Sequence, residues 1–219
     1  MLYVWSTTLV AGVGLQILVI AALMRRGWRQ LKGLFTYMVV LLLTTVIEAA
    51  AFYSQDIHSR ISRYYWANDT IRQVLIFVLV IVLIHAGLGH GRSRLKGATL
   101  LGPGVAALSL ISLYVTRDAE FWAWMTAFAR DLGFIAVVLN LALWAVLIRS
   151  RRTDRTLLMI SGGMGIQMAG KAIGHAVREL TRPLMAPGDL IIVLSHLFCL
   201  YVWWQALRLP PPEGNSQLS

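Results

Sequence analysis

Seven long apolar stretches, separated by short polar connectors, set the pattern of the chain. They run over 3–24, 34–53, 71–88, 98–116, 121–148, 157–180 and 190–207. Each approaches the roughly 20 residues with which a helix crosses a hydrocarbon core of about 30 Å. The connectors are rich in Arg, Gly and Asp and leave no room for a soluble module. This pattern predicts an all-α, polytopic membrane protein with a single seven-helix domain over 1–209. Residues 210–219, which open on Pro210, Pro211 and Pro212, read as a disordered tail.

Composition agrees: 58% of the 219 residues are hydrophobic and 14% charged, a balance that a water-soluble domain does not reach. The formal charge of +10 would suggest nucleic acid in a soluble protein, but here its distribution follows the connectors. Arg25, Arg26, Arg29, Lys32, Arg92, Arg94, Lys96, Arg149, Arg151, Arg152, Arg155 and Arg208 fall in one alternate set. Arg60, Arg63, Arg117, Arg178 and Arg182 fall in the other. Because Lys and Arg are retained on the cytoplasmic side, the N-terminus is expected outside and the C-terminus inside. No nucleic-acid partner is implied, whereas anionic lipid headgroups suit the basic inner connectors. The tryptophans fit interfacial belts, with Trp5, Trp66, Trp122 and Trp124 at expected outer ends and Trp28, Trp144, Trp203 and Trp204 at inner ends. Cys199 is the single cysteine, so no intrachain disulfide and no four-cysteine zinc site can form. The first stretch lacks a basic leader and a small-residue cleavage site and reads as retained.

Ionisable groups at membrane depth are costly, and they concentrate in the expected outer half. Glu48 lies on the second stretch, Asn68, Asp69 and Arg72 open the third, and Arg130 and Asp131 sit side by side on the fifth. On the sixth, Gln167, Lys171, His175 and Arg178 follow a 4-4-3 spacing and form one stripe, bordered by Gly163, Gly170 and Gly174. That stripe is expected to face inward. The seventh carries Ser195 and His196. Glu48, Arg130, Asp131, Gln167, Lys171, His175 and His196 are therefore the candidate ligand-binding or proton-linked residues. Lys171 and Arg130 would hold an anionic group, Glu48 and Asp131 would balance them, and two histidines able to titrate near neutral pH would tune the site. The same balance also suits a purely structural tie between helices. The fourth stretch holds no charge between 98 and 116 and is expected at the periphery, facing lipid, a protein partner or a second copy of the chain.

Cofactor chemistry finds little footing. His175 and His196 could supply two ligands to a haem or metal, but no third His or Cys accompanies them. Lys171 raises a retinal Schiff base, yet the microbial rhodopsin type carries its lysine on the seventh helix, which has none here. Ser161 lies about 21 Å along the helix from His175, too far for a nucleophile and base. With no metal triad and no paired catalytic carboxylates, the expectation is a non-enzymatic protein without a cofactor.

Arg25 and Arg26, the Leu34, Phe35, Thr36 and Tyr37 start of the second stretch, Tyr64, Tyr65 and Trp66 before the third, and Arg130 in the fifth together resemble small bacterial seven-helix inner-membrane proteins. The resemblance implies a bacterial inner membrane and no particular chemistry. Three readings follow: a sensor or binder of a small ligand or proton that signals to a partner, a small proton-coupled transporter, and a non-catalytic subunit of a membrane complex. A faint repeat of stretches one to three in five to seven, at a shift of 124 residues, is a minor point for transport.

Overall fold

Hydrocarbon dictates which way each helix faces. A helix in lipid satisfies its own backbone, so its sequence only has to place apolar side chains outward and polar ones toward its neighbours. The structure, a computed structural model, describes residues 2–26, 31–53, 58–88, 121–149, 155–180 and 185–208. These form six helices: α1 (Leu2–Arg26), α2 (Lys32–Tyr53), α3 (His58–Leu88), α4 (Phe121–Arg149), α5 (Arg155–Leu180) and α6 (Met185–Arg208). Exposed apolar residues recur at helical spacing, as Ile71, Val74, Val78 and Val82 do on α3 and Phe134, Val138 and Leu141 on α4. Three segments are long and apolar enough to cross a membrane: Thr7–Arg26, Lys32–Ala50 and Pro187–Arg208. The apolar runs Thr70–Ile84 and Leu132–Ala145 are shorter. The fourth predicted stretch, 98–116, and the tail at 210–219 lie outside the described residues.

Two helices start earlier than the apolar pattern places them. α3 begins at His58 rather than 71, since nothing from His58 to Thr70 is Gly or Pro and a helix propagates through polar residues that no breaker interrupts. α6 begins at Met185 rather than 190 and takes Pro187 into its first turn, where the missing N–H has no intrahelical acceptor to lose.

The helices close a ring in chain order, each packed on the next, with α6 returning to α1 and α3 reaching across to α5. Their directions follow from the contacts. Gly33 on α2 meets Val82 on α3, and Gly163, Gly170 and Gly174 on α5 meet Trp203, Ser195 and Ile192 on α6, so both pairs are antiparallel. Gly12 meets Leu197, and Arg26 meets Ala206 and Leu207, so α1 and α6 run parallel. By the same reckoning α3 and α4 are parallel, α4 being antiparallel to α5 through Asn140 and Ser161. Arg25, Arg26, Lys32, Arg155 and Arg208 thereby gather at one end of the ring, called the basic end below.

The tightest seam joins α5 to α6. In lipid the hydrophobic effect adds little between helices, and close van der Waals contact takes its place, which requires small residues. At Gly174 a Cβ would stand 2.7 Å from the Gly188 carbonyl oxygen, and at Gly170 it would overlap the Ser195 side chain. At Gly163 it would come within 3.0 Å of Trp203. That vacancy corrects the expectation that Trp203 belongs to an interfacial belt. Its indole is 1% exposed, donates from Nε1 to the Ile160 carbonyl at 2.8 Å, and meets the Tyr37 ring edge-on at 5.7 Å.

Trp203, Tyr37, Leu34, Met38, Ile160, Met164 and Leu200 make a continuous buried layer on the side of the ring toward the basic end. Arg26 stitches that end together. Its guanidinium donates to the Ala206 carbonyl at 2.9 Å and to Thr156 Oγ1 at 2.9 Å, joining α1, α5 and α6 while satisfying a last-turn carbonyl that lacks an intrahelical partner.

Gly170→Val is expected to lower the thermal midpoint in detergent by an amount equivalent to about 1–3 kcal/mol, the usual cost of overpacking. Gly12→Ala, whose Cβ would meet Leu197 at an ordinary 3.7 Å, is expected to leave it nearly unchanged. Equal midpoints for the two variants would contradict the seam.

Candidate functional site

The polar site is built outward from one face of α2. Thr44 and Thr45 both turn their hydroxyl protons back to the Leu41 carbonyl, at 2.9 and 2.8 Å, as β-branched hydroxyls do within helices. Their oxygens are left as acceptors only. Glu48, one turn further on, adds a carboxylate to the same face.

Arg72 on α3 fills this acceptor array. Its Nη2 donates to Glu48 Oε2 at 2.8 Å and to Thr45 Oγ1 at 3.3 Å, and its Nε donates to Thr44 Oγ1 at 3.3 Å. The rigid fork of a guanidinium suits three acceptors spread over one helical turn. Two amides complete the hub: Asn68 Nδ2 donates to Glu48 Oε1, and Gln16 Nε2 on α1 donates to Thr45 Oγ1 at 3.3 Å. Glu48 and Arg72 remain 22% and 26% exposed, so the pair is reachable rather than sealed.

A second sector lies on the α4, α5 and α6 side of Arg72. Lys171 on α5 donates to Gln73 Oε1 at 3.3 Å, and the Gln73 amide sits so close over Gly133 of α4 that a Cβ there would stand 2.7 Å from its nitrogen. His196 of α6 follows Ser195, whose side chain packs against Gly170 next to Lys171, so His196 and Lys171 stand at one level of the α5 and α6 seam. Gln167, one turn from Lys171 toward the basic end, neighbours the Tyr37 hydroxyl and marks the floor of the polar region. Below it, Asn140 and Ser161 consume one another: Ser161 Oγ donates to Asn140 Oδ1 at 2.9 Å and Asn140 Nδ2 donates to the Ser161 carbonyl at 3.2 Å.

Of the residues expected to form the site, Glu48, Gln167, Lys171 and His196 line the interior of the ring. Gln167 and Lys171 point inward while Ile166 and Ile173 on the opposite face of α5 are exposed. Arg130, Asp131 and His175 lie on α4 and α5, but their side chains are outside the described ones. Four residues join that sequence reading left out: Arg72, Asn68, Gln73 and Gln16. Arg72 is among the polar groups that open the third apolar stretch. With α3 starting at His58 it stands fourteen residues in, about 21 Å from the helix start at 1.5 Å per residue. Gln16 carried a signal of its own as the single amide side chain in the first stretch.

The region offers cations from two helices, a histidine and one paired carboxylate. Among the described residues no group of three His, Cys, Asp or Glu side chains could hold a metal ion. Such an arrangement can bind and orient an anion. No protein-family model matches the chain, and comparisons with curated proteins and with solved structures find no match either.

Removing one partner of the ion pair strands the other. Arg72→Met and Glu48→Gln are each expected to destabilise the fold, and the double variant by less than their sum, with a coupling of about 1 kcal/mol or more in a double-mutant cycle of detergent unfolding. Strict additivity would show that the pair carries no energy.

Proposed function

We propose that this protein is a seven-helix receptor of a bacterial inner membrane that binds a small anionic ligand in the half of the bundle away from its basic end and passes the bound state to a partner protein. The carrying observation is that Lys171 of α5 donates to Gln73, the neighbour of Arg72 on α3, so that cations from two helices stand at one level of the bundle. Costly cationic groups at this depth mark function more often than they mark packing. A carboxylate or phosphate between them would be met by charge-assisted donors from two helices.

Two features support seven crossings with the N-terminus outside. α3 and α4 are parallel neighbours, so the chain joining Leu88 to Phe121 has to return from one end of the ring to the other, which a crossing by the apolar stretch 98–116 accomplishes. Lys and Arg gather at the end where α1 and α6 finish, which makes that end cytoplasmic by the positive-inside rule. The basic connectors there suit anionic headgroups, and the uncharged fourth stretch offers a face to a partner or a second copy.

Binding is favoured over transport by the layer beneath the site. A proton-coupled carrier needs polar groups onward to the basic end, yet among the described residues Asn140 and Ser161 are bonded to each other there, and Trp203 packs on Tyr37 within the buried layer.

Two measurements test the reading. A reporter active only in the cytoplasm, fused after Ser219, is expected to be active; a silent fusion with a working periplasmic reporter would reverse the topology. In lipid nanodiscs, propionate is expected to raise the thermal midpoint of the wild type, and Lys171→Met is expected to need at least tenfold more for the same shift. Equal responses from a folded Lys171→Met protein, or uptake into proteoliposomes under a pH gradient, would sink the receptor assignment.

A further inference from the structure

The two amides of the hub each leave an atom unused. Gln16 is 1% exposed and Asn68 3%, and the carbonyl oxygens Gln16 Oε1 and Asn68 Oδ1 accept no hydrogen bond from any described residue. Turning the amides over does not relieve this. A reversed Gln16 would set Oε1 against Thr45 Oγ1, whose proton is committed to the Leu41 carbonyl. A reversed Asn68 would set Oδ1 against the carboxylate of Glu48, which is held by Arg72. The nitrogen-inward orientations are therefore dictated by the hub, and so are the two idle acceptors. Buried carbonyl oxygens without donors are rare because each forfeits its hydration with nothing in return.

We propose that these two oxygens receive the hydrogen-bond-donating end of the ligand, an ammonium or hydroxyl group, so that the receptor selects a small amino acid or hydroxy acid over a simple carboxylate. The inference rests on the anionic-ligand reading above and extends it. Arg72 and Gln73 are consecutive on α3 and join the two sectors: Arg72 donates to Thr45 and Glu48 of the hub with its idle acceptors, and Gln73 accepts from Lys171. A molecule with a carboxylate and a donor a few bonds apart meets both sectors at once. The nearby carboxylate of Glu48 further favours a donor over another acceptor at that end.

Calorimetric titration of the full chain in nanodiscs with propionate, lactate, alanine, trimethylglycine and ethylamine decides it. Lactate or alanine is expected to bind at least about tenfold tighter than propionate, because a site built around acceptors penalises the analogue that lacks the donor. Trimethylglycine keeps both charges without an N–H and is expected to bind no tighter than propionate. In Gln16→Leu and Asn68→Leu the advantage of the donor-bearing probes over propionate is expected to fall below about twofold. Should Asn68→Leu fail to fold, Gln16→Leu alone carries the test, with its thermal midpoint as the control. Equal affinity for donor-bearing and donor-free probes in the wild type means that water holds the acceptors and overturns the proposal, as does a preference that survives in the variants. Ethylamine separates the two readings. If it binds and Gln16→Leu abolishes that binding while propionate does not bind, the donor site stands and the anionic reading fails. If no probe binds, both fall.

Discussion

Close approach of α5 to α6 is the contact on which the rest of the bundle depends. Lipid tails are as apolar as leucine, so helices gain little by hiding from them, and a stable pair has to be made from dense packing. Gly163, Gly170 and Gly174 let α6 come near enough for Ser195, Ile192 and the Gly188 carbonyl to occupy the space a Cβ would need. The same approach sends the Trp203 ring inward over Gly163, where its N–H finds the Ile160 carbonyl. It also fixes where His196 stands relative to Lys171, since both project from helices whose spacing the glycines set.

From that seam the interior divides into two regions of different character. Toward the basic end, aromatic and aliphatic side chains fill the ring, and its polar groups are paired off, Asn140 with Ser161 and Arg26 with the end of α6. Toward the other end, Arg72, Glu48, Lys171 and His196 remain partly exposed. The threonines of α2 explain how an arginine can be held at such depth. By spending their protons on the Leu41 carbonyl they become pure acceptors, and a guanidinium, which has only donors, then meets an array of complementary sign. The amides of Gln16 and Asn68 face the same array and are forced to present nitrogen to it.

Much of this was legible in the chain. The helical character of the described stretches follows from their long apolar runs, and the inward stripe of Gln167 and Lys171 from 3.6-residue periodicity. The border of glycines beside that stripe was readable as a packing surface. Other features were not legible, for identifiable reasons. Apolar runs locate where a helix is greasy and not where it starts, and α3 extends through thirteen mostly polar and aromatic residues before the run begins, which carries Arg72 well inside the helix. An indole near a helix end is ordinarily interfacial, and it is the space left at Gly163 that lets Trp203 turn inside.

By itself the sequence determined the helical, apolar class of the molecule and the inward face of Gln167 and Lys171, because periodicity and composition are properties of single segments. Which polar groups meet was decided only by the tertiary structure. Glu48 could have balanced Arg130 or Lys171 as well as Arg72, and no spacing along the chain distinguishes them. The choice depends on the order of helices around the ring and on their relative heights, which set α3 beside α2 with Arg72 level with Glu48. A charge-assisted hydrogen bond forms only when donor and acceptor come within about 3 Å, so partners are settled by that geometry.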